Sequence, residues 1–172
     1  MALVYLDACA IIDAREKQTP VGQALVNLIV DHANDEPPFI TSDLSLVEVL
    51  NKPIQGLIDR KPELEDPTKR ADHDWYLGNL IPEGLLLQTK PLHRDILLQA
   101  AIMRARMSSL KTPDAIHAAT AYHFGCTHFV TGDTRLARGL DRDDAWRASP
   151  RRFHFVKMTV EALDALRNEL NS

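Results

Sequence analysis

Glycine is scarce in this chain: seven in 172 residues, too few to build many phosphate-cradling turns. No G-x-G-x-x-G follows the first apolar run, and no Walker-type loop occurs anywhere. Nucleotide binding by those routes is therefore not expected. Cysteine is scarcer still. Cys9 and Cys126 have apolar neighbours and belong to no CxxC or Cys/His cluster. Two reduced thiols are expected, not a disulfide or a metal site. No apolar run approaches the roughly 20 residues that span a bilayer. The opening stretch MALVYLDACAII is broken by Asp7 and has no basic region before it, so it reads as a first core strand and not as a signal peptide. A cytoplasmic protein with no membrane association is expected. Basic excess is missing too: the net charge is -4, which argues against a simple basic nucleic-acid binder.

The charge is unevenly spread. From Arg135 to Lys157 there are seven basic residues against three acids. Two readings stand, a solvated face and a local groove for phosphates.

Length and composition fit one soluble domain over residues 1–172. Five short apolar runs read as strands: LVYL (3–6), FIT (39–41), LLLQ (85–88), HFVT (128–131) and FHFV (153–156). Helical spacing separates them at 22–33, 94–107 and 114–124, the last stopped by Gly125. A final helix is capped by Thr159. Alternating strands and helices predict an α/β fold, a three-layer α/β/α sandwich around a central parallel sheet of about five strands. Residues 51–83, with four prolines and many charges, read as a helical excursion. Trp75, Tyr76, Leu77 and Leu80 would give that excursion an apolar face, turned to the core or to a dimer partner. Residues 139–152 read as an exposed loop anchored by Trp146.

In such a sheet, ligands bind outside the carboxyl ends of the strands. Four acids fall at that edge. Asp7 follows the first strand, Glu48 lies in the first turns after the second, Asp114 opens the helix before the fourth, and Asp133 comes two residues after the fourth. Each has an ordinary reading. Asp7 could cap a short helix. Ser45-Leu46-Val47-Glu48 fits a capping box. Asp114 follows Thr112 as N-cap and Pro113 as first helical residue, where the helix dipole would lower its pKa. Asp133 suits a turn or cap. All four together, with no clustered Lys or Arg, would repel one another. Oxygen-only donors select a hard ion, Mg²⁺ or Mn²⁺. A carboxylate cluster holding such an ion suits phosphodiester hydrolysis. His117, one turn after Asp114, is expected in the core or supporting an acid, not as a ligand. Lys111 and Arg135 flank the acids and could meet RNA phosphates or simply be solvated. A phosphoacceptor receiver domain wants adjacent acids near the first strand and a later Lys, and a dehalogenase-like phosphatase wants D-x-D; neither pattern is present.

The run Asp-x-Cys after the first strand, V-E-V, T-P-D-A-I-H-A-A-T-A and V-T-G-D-T resembles the PIN-domain family over roughly residues 3–156. Within it, the chain is most similar to VapC-type toxin ribonucleases of toxin–antitoxin pairs. The resemblance implies that Asp7, Glu48, Asp114 and Asp133 form the catalytic and metal-binding quartet, with Thr131 as a supporting hydroxyl. It implies a Mg²⁺- or Mn²⁺-dependent endoribonuclease leaving 5′-phosphate and 3′-hydroxyl ends. It also implies an RNA substrate, a homodimer and a small cognate antitoxin. Cys9 stands where the family usually carries Ser, Thr or Asn, and a thiol is the poorer hydrogen-bond partner. A catalytically silent PIN-like RNA- or protein-binding module is the alternative that this substitution and the long 51–83 segment would favour.

Overall fold

The computed structural model describes residues 2–33, 38–58 and 67–172. Their elements run β1 (Val4–Leu6), α1 (Ala8–Glu16), α2 (Pro20–Asp31), β2 (Phe39–Ser42), α3 (Asp43–Ile58), α4 (Pro67–Asn79) and β3 (Gln88–Lys90). They continue α5 (Arg94–Arg106), α6 (Thr112–His123), β4 (His128–Thr131), α7 (Thr134–Leu140), α8 (Asp144–Arg147), β5 (His154–Lys157) and α9 (Val160–Leu170). The five strands form one sheet in the order β3-β2-β1-β4-β5, and every pairing is parallel. This is the predicted α/β sandwich.

The strands are apolar at successive positions because both faces of the sheet are covered. Tyr5, Ile40 and Phe129 face one layer, with Ile96 and Met103 of α5, Ala115 and Ala118 of α6, and Leu136 and Leu140 of α7. Val4, Leu6, Phe39 and Val130 face the other, with Ile11, Leu25, Val49, Tyr76 and Leu163 from α1, α2, α3, α4 and α9. Each fully buried Leu or Ile is worth about 1.5–3 kcal/mol, against about 0–1 for an exposed ion pair, so packing holds the layers.

Most of the sequence reading holds, with corrections at element ends. β3 is Gln88–Lys90, not 85–88; Leu85 is exposed and only Leu87 of that apolar run is buried. Thr159 caps α9 as expected, accepting from the Ala162 N–H at 3.2 Å. Gly125 ends α6 with φ +71°, the left-handed region that glycine enters without a Cβ penalty. Trp146 is buried and packs at 4.6 Å from Phe153, so it is an anchor as expected, but the segment is not all loop: α7 runs to Leu140 and Trp146 sits in the short helix α8. Of the expected excursion, residues 59–66 lie outside the described residues. The rest is helical: α3 carries Pro53 inside it, and α4 packs back on the core. Tyr76 and Leu80 are buried, whereas Leu77 points outward. The buried Asp72 pairs with Arg15 at 3.1 Å, and the Tyr76 hydroxyl donates to Glu16 at 3.0 Å, which ties α4 to α1.

Candidate metal centre

Strand ends deliver the acids. Asp7 is the first residue past β1, and its N–H donates to the Val130 carbonyl of β4 at 3.1 Å. Although Asp7 sits at the N-cap of α1, its side chain makes no capping bond. Its carboxylate instead accepts from the Thr131 hydroxyl at 2.7 Å and from the Cys9 thiol at 3.3 Å. Cys9 in turn accepts from the Gly132 N–H at 3.2 Å. The thiol, although the poorer partner, keeps its bond to Asp7. Burial, then the Asp7 charge, pushes the Cys9 thiol up to about 12, so it stays protonated and can donate.

Glu48 lies inside α3, which starts at Asp43, so the Ser45–Glu48 capping box is not formed. Ser45 is buried against Thr41 at 2.5 Å. Glu48 accepts from His117 Nε2 at 2.6 Å, and the same nitrogen lies 3.7 Å from Asp7. His117 is 2% exposed; its Nδ1 meets the Tyr5 hydroxyl at 2.7 Å, and Tyr5 donates on to Ser42 at 3.0 Å. Burial pulls the His117 pKa down, but the Glu48 hydrogen bond and the Asp7 and Glu48 charges outweigh it and the net shift is upward. The donor chain is complete when His117 is an imidazolium: Nε2–H to Glu48, Nδ1–H to Tyr5 and Tyr5 O–H to Ser42. His117 is thus the buried support expected of it. Tyr5 and Ser42 escaped the sequence reading, since an apolar strand run gives no sign that a tyrosine hydroxyl is aimed at a residue 112 positions away.

Asp114 sits in the first turn of α6. Lys111 takes the N-cap position without a side-chain bond, so Thr112 is helical and does not cap. The expected lowering of the Asp114 pKa is also corrected. Burial raises it, and the charges of Asp133 and Asp7 raise it further, against the lowering charges of His117 and Lys111. Asp133 caps α7 by accepting from the Arg135 N–H at 2.8 Å. The Arg135 guanidinium also grips both of its oxygens, at 3.2 and 2.9 Å. That grip holds the Asp133 carboxyl below its usual range, so one cation does neutralise one acid here. Arg135 is accordingly committed to Asp133, while Lys111 is exposed.

Asp7, Glu48 and His117 each offer a ligand atom, and all three atoms lie within 4.8 Å of one another. Asp114 and Asp133 do not belong to that group of three, but Asp114 opens α6 beside His117 and its carboxyl is raised by burial and then by the charges of Asp133 and Asp7. With the His117 nitrogen turned to Glu48, the free donors are carboxylate oxygens, which suit a hard divalent ion.

The model of the PIN domain matches residues 4–139. The chain belongs to the PIN-domain family. This PIN domain is similar in fold to a chain in the crystal structure of VapBC2 from Rickettsia felis bound to a promoter DNA fragment (TM-score 0.58, 12% identity, covering 90% of this chain and 98% of that one). It is also similar to a chain of DNA-bound VapBC from Salmonella typhimurium (0.60, 12%, 92% and 100%) and to one of FitAcB from Neisseria gonorrhoeae (0.59, 18%, 81% and 94%). No curated protein sequence matches significantly. Among the described residues, no helix of this PIN domain is long and apolar enough to cross a membrane.

Proposed function

We propose that this PIN domain is a Mg²⁺- or Mn²⁺-dependent endoribonuclease and the toxin of a toxin–antitoxin pair, acting in the cytoplasm. The observation that carries the reading is the cluster of Asp7, Glu48 and His117, whose ligand atoms all lie within 4.8 Å of one another, with the Asp114 carboxyl raised first by burial and then by the charges of Asp133 and Asp7. Asp7, Glu48, Asp114 and Asp133 would hold the ion, which supplies Lewis acidity at the scissile phosphodiester. Thr131 and Cys9 aim Asp7, and His117 aims Glu48. Supports held by buried packing keep the carboxylates in place before substrate arrives, which reduces the reorganisation that chemistry would otherwise require.

The neighbours from VapBC and FitAcB structures support an antitoxin partner. A surface for it, or for the second copy of a homodimer, is at hand. Val47, Ile54 and Ile58 of α3 expose apolar side chains on the helix that bears Glu48. The silent-module alternative loses one of its two arguments, because Cys9 keeps its bond to Asp7.

The deciding experiment is cleavage of a mixed tRNA and rRNA pool by wild type and Asp114→Asn with Mn²⁺, Mg²⁺ or EDTA. Discrete cuts that need metal and Asp114 are expected. Undiminished cleavage by a folded Asp114→Asn would remove the proposed site. Absence of Mn²⁺ binding by calorimetry, together with no cleavage, would leave the silent module.

A further inference from the structure

A groove of about 690 Å³ opens beside Asp133 and runs along β5. Thr131 and Asp133 stand at its head, and Arg138, Arg152, Phe155 and Lys157 line its length. β5 is an edge strand, paired only with β4, so its outer side faces this groove and not another strand. His154 and Lys157 are exposed, and Phe155 is half-buried against Phe129 and Phe153 at 5.5 and 5.2 Å.

The cations here are not spent on acids. Arg138 is braced by Thr134 alone, its Nε donating to the carbonyl at 3.2 Å and its Nη2 to the hydroxyl at 2.9 Å. Arg152 donates to the Arg147 carbonyl at 3.4 Å. Among the described residues none of Arg138, Arg152 and Lys157 forms an ion pair. The acids on the lining are Asp133, already gripped by Arg135, and Asp141. In a chain of net charge -4, this is a local positive channel that leads to the acidic edge.

We infer that the β5 groove holds the single-stranded RNA segment that leads away from the scissile bond. Arg138, Arg152 and Lys157 meet its phosphates, and the ring of Phe155 meets a base. The assignment rests on the endoribonuclease reading, and it names the substrate path that reading leaves open. Phosphate contacts give affinity without sequence, and an aromatic face accepts any base, so this groove positions RNA and does not select it. An acidic peptide is the weaker occupant. Its carboxylates would meet Asp133 and Asp141 as phosphates would, but it brings no base to set against Phe155.

The test is fluorescence anisotropy with a labelled mixed-sequence single-stranded oligoribonucleotide, in EDTA so that no cleavage occurs. Wild type is compared with the full-length triple variant Arg138→Gln, Arg152→Gln, Lys157→Gln. A control pair, Arg104→Gln with Arg106→Gln, removes exposed charge from α5. The triple variant should bind at least tenfold more weakly at low salt. Its slope of log affinity against log salt should fall by about 2, since each lost phosphate contact to a single strand removes about 0.7. The control should bind as wild type. Equal binding by wild type and triple variant overturns the groove, even if metal-dependent cleavage is found. Equal losses in triple and control overturn it as well, by reducing the effect to net charge. Displacement of the RNA by an oligoglutamate of matched charge at equal concentration would give the groove to an acidic segment instead. Groove-dependent RNA binding without cleavage in Mn²⁺ would uphold the binding surface and fail only the nuclease reading.

Discussion

Asp7 and Glu48 are held by groups that are themselves buried, Thr131 and His117. Asp133 is held by a guanidinium whose side chain is 72% exposed, and Asp114 makes no side-chain bond among the described residues. The same edge thus has a braced half and a loose half. The braced half draws its order from the core. The loose half draws its order from charge, and one member of it is left in an electrostatically unfavourable state. A preorganised pair would fix where an ion goes, and the strained Asp114 would supply free energy for taking it up.

The sharpest way to break this contrast is His117→Ala. It leaves the buried Tyr5 and Ser42 and the half-buried Glu48 each short of a partner and opens a cavity. A loss of about 3 kcal/mol is expected by urea denaturation. A loss under about 1 kcal/mol would mean that the braced half is not braced. Thr131→Val removes the donor to Asp7 and the acceptor for the Asp133 N–H at 2.9 Å. Its expected cost is about 1–2 kcal/mol, with cleavage reduced further than stability alone explains. Asp114→Asn should go the other way. In EDTA its melting temperature should exceed that of wild type, because a half-buried carboxylate facing two like charges opposes folding at neutral pH. Adding Mn²⁺ should reverse the order, since wild type alone would gain full ligand stabilisation.

The smallest effect belongs to Arg135→Gln, an exposed pair worth about 0–1 kcal/mol. Its signature is in pH dependence. The Asp133 carboxyl is lowered in the folded state, so its stabilisation is present above the ordinary value of 3.8 and is lost as pH falls through the folded one. Arg135→Gln should flatten that acid limb in a stability titration. An unchanged limb would show that the α7 cap and not the guanidinium sets it.

The braced half was only partly legible. Asp7 could be placed because a strand end fixes it within a residue or two, as it does Asp133 in the loose half, and Thr131 came with its motif. The Tyr5–His117–Glu48 chain could not be read, since its bonds join residues 112 and 69 positions apart. In the loose half, the arginine grip was misjudged: Arg135 looked like one more cation near a helix end, and only the turn at Asp133 folds it back. Buried strands announced themselves by unbroken apolar runs. The edge strand β3 did not, because only Thr89 of its three residues is buried. Leu85 to Leu87 drew the reading off by supplying the apolar run that β3 lacks.

The two edges of the sheet have a further consequence, for the behaviour of many copies of the chain together. β3 and β5 are three and four residues long, and each ends on a lysine, Lys90 and Lys157. Such short, charged borders make poor templates for another molecule's backbone. Lys157 would then also guard against fibrillar assembly. A variant that weakens RNA binding by neutralising it would also lower the barrier to aggregation, so the solubility of that variant and its affinity should decline together.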